Sequence, residues 1–315
     1  MKTELRPDPS RTVLTWNRSP DVPFDRSLNP YRGCEHGCIY CYARPTHAWL
    51  DLSPGLDFET RLFYKPDAAD LLRKALSQPG YRCDLLGLGT NTDAYQPAER
   101  RLGITRRVLQ LLNECRHPVG VITKSSLVER DIDILREMAQ DHLVQVQISV
   151  TTLRPGLSRI LEPRAAAPHR RLRTIATLSE AGIPVGVLVA PVIPALTDEE
   201  VESILAAARE AGAAFAGYIL LRLPHELKVM FADWLGTHFP LKAERVLNRL
   251  RDMHGGRLYD SNFATRRRGA GPYADLLERR FEVARRRLGY RAAPEYNTQR
   301  FHPPDNDSPQ LKLFD

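Results

Sequence analysis

At 315 residues the chain is long enough for one barrel-sized core, and no run approaches the roughly eighteen continuous apolar residues of a membrane span, so a membrane-spanning helix is not expected. Five cysteines, an odd number with no apolar signal segment ahead of them, argue against a disulfide framework and for the reducing cytoplasm. The formal charge of +7 is uneven: residues 236–315 hold sixteen Lys and Arg against ten Asp and Glu, which suits either a polyanion partner or the solvated faces of helices.

Residues 1–25 carry Pro7, Pro9, Pro20 and Pro23 with little periodicity, and predict an extended arm that Trp16 pins. From Ser27 the chain runs briefly extended into a loop, residues 29–42, and residues 43–52 predict a short helix. After a connection at 53–65, residues 67–76 have helical spacing. Residues 83–89 form an apolar run fit for a buried strand, Pro97 opens a helix through Leu112, and residues 119–123 form another apolar run. The alternation continues with helix 132–138, strand 144–150, helix 169–181 ended by Gly182, strand 185–190, a helix started by Thr197-Asp-Glu-Glu, and strand 216–221. Six strand–helix units predict a parallel sheet with right-handed crossovers, closed partly or fully into a barrel. Residues 273–288 predict an amphipathic helix, and residues 292–309 are rich in Pro, Asn and Asp.

The loop at 29–42 reads N-P-Y-R-G-C-E-H-G-C-I-Y-C-Y, and its Cys34, Cys38 and Cys41 fall in a C-x3-C-x2-C pattern where Pro30, Gly33 and Gly37 allow sharp turns. A structural zinc site or a ferredoxin cluster takes four ligands, and here the fourth thiol is missing. Three cysteines suit a [4Fe-4S] cluster with one iron open to a non-protein ligand. A three-thiolate zinc site completed by His36 or His47 is the alternative, and it would make the chain a noncatalytic metal-binding module able to bind nucleic acid.

This spacing, with Tyr40 before the last cysteine, resembles the radical S-adenosylmethionine (SAM) superfamily. Thr92-Asp93 after the second core strand, V-I-T-K at 121–124, I-S-V at 148–150, L-E-P at 161–163 and V-x-V-A-P at 187–191 extend the resemblance to its spore photoproduct lyase-like branch over about residues 29–200. The resemblance implies an α/β fold, the partial (β/α)6 TIM-like barrel of the radical SAM type, over residues 26–235, preceded by the arm and followed by a basic, mainly helical extension at 236–315. It implies SAM and a [4Fe-4S] cluster as cofactors, a 5′-deoxyadenosyl radical as the hydrogen-abstracting species, and an external flavodoxin- or ferredoxin-like electron donor. Thr92, Lys124 and Ser149 match SAM-contacting positions, and Tyr40 and Tyr42 lie near the cluster. Lys124 could pair with the SAM carboxylate and Ser149 with a ribose hydroxyl; Asp93 and Arg164 are further polar candidates at the rim.

One departure matters. Spore photoproduct lyase carries a hydrogen-donating cysteine at the position that matches Thr90, and an aliphatic hydroxyl is a poor hydrogen-atom donor, so thymine-dimer reversal is not expected here. Cys83 and Cys115 are expected to be structural. Nucleic acid is a candidate substrate, with no helix-turn-helix, zinc-finger or RRM signature to support it.

Overall fold

The computed structural model of the protein describes residues 3–304. The described residues form ten strands: β1 (Glu4–Pro7), β2 (Leu14–Trp16), β3 (Arg26–Leu28), β4 (Tyr31–Arg32), β5 (Arg61–Tyr64), β6 (Leu86–Leu88), β7 (Val119–Thr123), β8 (Val144–Ser149), β9 (Val185–Val192) and β10 (Phe215–Leu220). Seven form the main sheet in the order β10-β9-β8-β7-β6-β3-β2. Its six strands from β3 to β10 run parallel, and β2 adds an antiparallel edge. Strands covered on both faces read as nearly unbroken apolar runs, which is why Val-Gly-Val-Leu-Val and Val-Gly-Val-Ile mark β9 and β7 so clearly. Helices such as Ala68–Leu76 and Ile104–Glu114 turn Leu72, Leu76, Val108 and Leu112 onto that sheet in one buried core. Gly182 ends the helix Pro168–Glu180 at φ +77°, the left-handed conformation its position predicts. No described helix is long and apolar enough to cross a membrane.

Three expectations change. The arm at 1–25 is ordered by strand pairing: β2 pairs with β3, and β1 joins a second, three-stranded sheet ordered β1-β5-β4 whose central strand lies in the stretch read as a connection. Trp16 does not pin it by burial, being 60% exposed with the Arg26 guanidinium 4.7 Å from its ring. The helix predicted from Pro97 to Leu112 is two helices, Glu99–Leu102 and Ile104–Glu114, joined by Gly103 at φ +61°. The buried Glu99 carboxylate accepts from the amides of Ile104 and Thr105 at 3.0 Å each and so caps the second helix from within the first. The helices Pro155–Leu161 and Pro240–Met253 also belong to the fold, and the helix Leu227–His238 runs across the expected end of the core at 235.

The segments beyond the core cover the N-terminal end of its strands and brace its unpaired edge. Residues 290–304 cross the N-terminal ends of the strands: Arg291 N–H bonds to Ala214, Asn297 N–H to His142 and His302 N–H to Cys115, while Phe301 packs on Tyr81 and His117. The rest of the Pro- and Asn-rich stretch lies outside the described residues. At the unpaired edge, Leu220 N–H bonds to the Arg267 carbonyl at 2.9 Å, and Arg266 grips the Asp21 carboxylate bidentately at 2.6 Å. A strap thus runs from β10 to the loop before β3.

Candidate metal centre and barrel mouth

The cysteine loop leaves the C-terminal end of β3, the end at which parallel α/β folds place their chemistry. Gly33 is at φ +76°, and a Cβ there would stand 2.5 Å from Leu62 Cδ2 and 2.7 Å from the Phe58 carbonyl, so only glycine fits. Cys34 N–H donates to that same Phe58 carbonyl at 2.9 Å, and Ile39 N–H to Leu161 at 3.0 Å.

Two residues that sequence reading passed over hold the loop's shape. Arg44, 1% exposed, donates to the carbonyls of Gly37 (3.0 Å), Cys38 (2.8 Å), Pro54 (3.0 Å) and Gly55 (2.8 Å) and pairs with Glu59 at 3.0 Å. Gln96 accepts from Glu35 N–H at 2.8 Å and donates to the Gly33 carbonyl at 3.2 Å. Arg164 is a third brace: it bonds to the Glu35 carbonyl and pairs with Glu59 at 2.8 Å, so it holds the loop rather than facing the barrel.

Cys34 and Cys38 are buried and Cys41 half-buried, close enough that each thiolate would repel another. Burial pushes the Cys34 thiol well up, with the Asp93 carboxylate adding to it and the Asp93 amide opposing it. Burial and the Glu162 carboxylate push Cys38 up to about 12, against the pull of Lys124. Cys41 is raised by burial and lowered by the amides of Ala43 and Arg44. His36 Nδ1 lies 3.3 Å from Asp93, and His47 Nε2 lies 3.0 Å from the Arg61 carbonyl while its Nδ1 is buried with no partner. Among the described residues no three His, Cys, Asp or Glu side chains converge as a single-ion site.

Lys124, at the end of β7, brings its ammonium to 5.8 Å from the Tyr40 ring, and its amide donates to Asp93 at 2.8 Å. Ser149, at the end of β8, donates its hydroxyl to the Ala190 carbonyl at 3.0 Å. Thr92 donates its own to the Tyr31 carbonyl at 2.8 Å. Both hydroxyls therefore offer lone pairs and no spare proton. Tyr40 is buried with its hydroxyl donating to Glu162. Tyr42 is 41% exposed, its hydroxyl donating to the Thr90 carbonyl and its ring 4.9 Å from the Arg222 guanidinium. Cys83 and Cys115 precede β6 and β7, so both lie toward the opposite end of the strands.

Beneath Tyr40 lies a buried charge network. Glu162 accepts from Tyr40, from Thr151 at 2.7 Å and from Arg171, which also donates to the Ser149 carbonyl at 3.0 Å. Burial alone would raise the Glu162 carboxyl, but Arg171 and Lys124 hold it down to about 2. Asp93 is likewise held down to about 2, its burial overcome by His36, the Lys124 amide and the Thr123 hydroxyl. The L-E-P and T-D motifs contained both carboxylates, but nothing local marked Arg171, nine residues on from Glu162, as the partner.

The model of the radical SAM superfamily matches residues 28–208. The chain belongs to the radical SAM superfamily. It is 37% identical over 235 residues to an uncharacterised protein of Mycobacterium tuberculosis (strain H37Rv), which covers 74% of this chain and 68% of that one. It is also 28% identical over 174 residues to an uncharacterised protein of Methanocaldococcus jannaschii, covering 55% of this chain and 62% of the relative. Among solved structures it is similar to spore photoproduct lyase complexed with dinucleoside spore photoproduct, with a TM-score of 0.61 at 14% identity over 91% of this chain and 80% of that one. At that identity the likeness is one of fold.

Proposed function

We propose that the protein is a radical SAM enzyme in which Cys34, Cys38 and Cys41 hold a [4Fe-4S] cluster and Lys124, Ser149 and Thr92 bind SAM. One observation carries the reading: three thiols lie on one glycine-turned loop at the barrel mouth, and two of them, Cys38 and Cys41, are within electrostatic reach of a lysine that forms no ion pair among the described residues. The donor set fits the group, since three thiols leave a fourth iron open and the backbone amides of Asp93 and Ala43 favour the thiolates of Cys34 and Cys41, as hydrogen bonds that tune cluster potential do. When bound, the cluster and SAM supply a 5′-deoxyadenosyl radical that abstracts hydrogen from substrate.

The chain's own residues bind, orient and exclude water. Lys124 pairs with the SAM carboxylate, while the Ser149 and Thr92 oxygens accept from its hydroxyl or amino hydrogens. Tyr40, packed in a cluster with Leu157, Leu161, Ile193 and Leu196, closes the inner side of the site to solvent. On the loop's outer side a cavity of about 350 Å³ reaches His36, with Arg100 and Arg164 in its lining, cations suited to an acidic flavodoxin- or ferredoxin-like donor. Nucleic acid is the candidate substrate class, supported by the fold likeness to a lyase that binds a dinucleoside photoproduct. Thymine-dimer reversal is not carried over, because Thr90 offers an aliphatic hydroxyl, a poor hydrogen-atom donor, where a thiol is needed, and neither Cys83 nor Cys115 lies at that end.

Anaerobic reconstitution with iron and sulfide, then EPR of the reduced protein with and without SAM and a 5′-deoxyadenosine assay, tests the reading. A cubane signal that shifts with SAM, with 5′-deoxyadenosine formed and both lost in Cys38→Ala, supports it. One tightly held zinc and indifference to SAM would replace it with the noncatalytic metal-binding module.

A further inference from the structure

The strap that spans the open edge of the barrel carries more positive charge to the mouth than its own partners neutralise. Arg222 follows β10, and its guanidinium lies 4.9 Å from the ring of Tyr42, the residue after Cys41. Among the described residues its guanidinium makes a long hydrogen bond of 3.4 Å to the Tyr259 hydroxyl, and its Nε is buried with no partner. Arg267 comes to the same place from the strap, donating to the main-chain carbonyl of Asp21 while Arg266 takes both oxygens of the Asp21 carboxylate. Two residues before Arg222, the Leu220 N–H bonds to the Arg267 carbonyl, and Arg222 and Arg266 each repel the Arg267 guanidinium. Among the described residues three guanidiniums therefore share one carboxylate, and neither Arg222 nor Arg267 has an ion-pair partner of its own.

We propose that Arg222 and Arg267 form an oxyanion subsite that holds a phosphate group of the substrate beside Tyr42. Guanidinium forks match phosphate oxygens in geometry and charge. A phosphate monoester brings about −1.5 to −2 on one tetrahedral group at neutral pH, close to the two cations left over, while an internal phosphodiester brings one, so the charge balance favours a terminal phosphate, and succinate, a dianion without the tetrahedral group, is the charge-matched control. The exposed face of Tyr42 supplies a surface against which the group carrying the phosphate can lie. SAM has its own cation in Lys124, so the arginines serve a second ligand. The subsite deepens the radical SAM reading, and rests on it for which end of the barrel reacts.

The test titrates the full-length protein by calorimetry with glycerol 3-phosphate, thymidylyl-thymidine and succinate, which distinguish a monoester, a diester and a carboxylate. Arg222→Gln and Arg267→Gln should each weaken the preferred phosphate probe by about tenfold or more, the scale of losing one charge-assisted hydrogen-bonded contact. Arg222→Lys should restore part of it, showing that the loss is not misfolding. SAM affinity should change less than about twofold in the arginine variants. The subsite is overturned if no phosphate probe binds the wild type, if succinate binds as tightly as the phosphates, if binding is indifferent to Arg222→Gln, or if the arginine variants lose SAM instead. Iron content and 5′-deoxyadenosine formation, followed in the same preparations, separate the two readings. A chain that holds the cluster but binds no phosphate overturns the subsite alone, and one that binds phosphate through Arg222 without cluster or SAM overturns the enzyme.

Discussion

Replacing Glu162 with glutamine keeps the side chain's shape and removes one charge from a site where Arg171 is 1% exposed and Glu162 fully buried. Two lines of reasoning give the cost. A carboxyl held at about 2 against an ordinary 4.5 is stabilised by about 3 kcal/mol at neutral pH. Removing one partner of a buried ion pair independently costs about 3–5 kcal/mol, because the remaining charge stays desolvated. Against a total stability of about 5–15 kcal/mol this is a large fraction. In urea unfolding at pH 7, a slope of about 3 kcal/mol/M makes the expected midpoint shift about 1 M. The sign with pH is determined by the lowered carboxyl: its contribution is complete above about 4.5 and is lost as pH falls toward 2, so the variant should lose less stability than the wild type over that interval. A midpoint shift below about 0.3 M, with the acid limb unchanged, would refute the assignment of Glu162 as an ionised, structure-bearing carboxylate.

Arg44→Ala should leave far-UV dichroism intact but lower iron bound per chain after reconstitution, since it strips five hydrogen bonds from the cysteine loop and its surroundings. Gly33→Ala and Gly182→Ala form a contrast in thermal denaturation. Both positions have positive φ, but a Cβ at Gly182 meets nothing within 4 Å, so its cost should stay near the 1–2 kcal/mol of left-handed strain, while at Gly33 the collision with the Phe58 carbonyl adds to it and displaces Cys34. Lys124→Met should retain the cluster signal yet weaken SAM at least about tenfold in equilibrium binding, by loss of one charge-assisted contact. A SAM affinity within twofold of wild type would remove Lys124 from the site.

Much of this was legible because the signals are local. A C-x3-C-x2-C loop needs only its own backbone to bring thiols together, and runs such as Val119–Thr123 announce a doubly covered parallel strand without reference to any neighbour. The helix break at Gly103 was less visible, since the capping carboxylate of Glu99 does its work only once the chain has turned back on itself. The run Arg266–Arg267–Arg268 illustrates the opposite limit. Its charge reads equally as a nucleic-acid footprint or a solvated face, yet the fold gives Arg266 to Asp21, Arg267 to the Asp21 carbonyl and Arg268 to Glu278.

Local sequence was enough to read the superfamily, the six parallel strands and the spacing of the three loop cysteines, because spacing within a loop and apolarity within a strand are properties of neighbouring residues. Tertiary structure alone decided that Arg171 neutralises Glu162 beneath Tyr40, that Arg44 ties the cysteine loop, that the arm pairs as strands and that Arg222 meets Arg267 at the mouth. Some of those partners come from distant segments, 245 residues apart for Asp21 and Arg266, and even a pair nine residues apart, such as Glu162 and Arg171, leaves no local periodicity by which either member can be read.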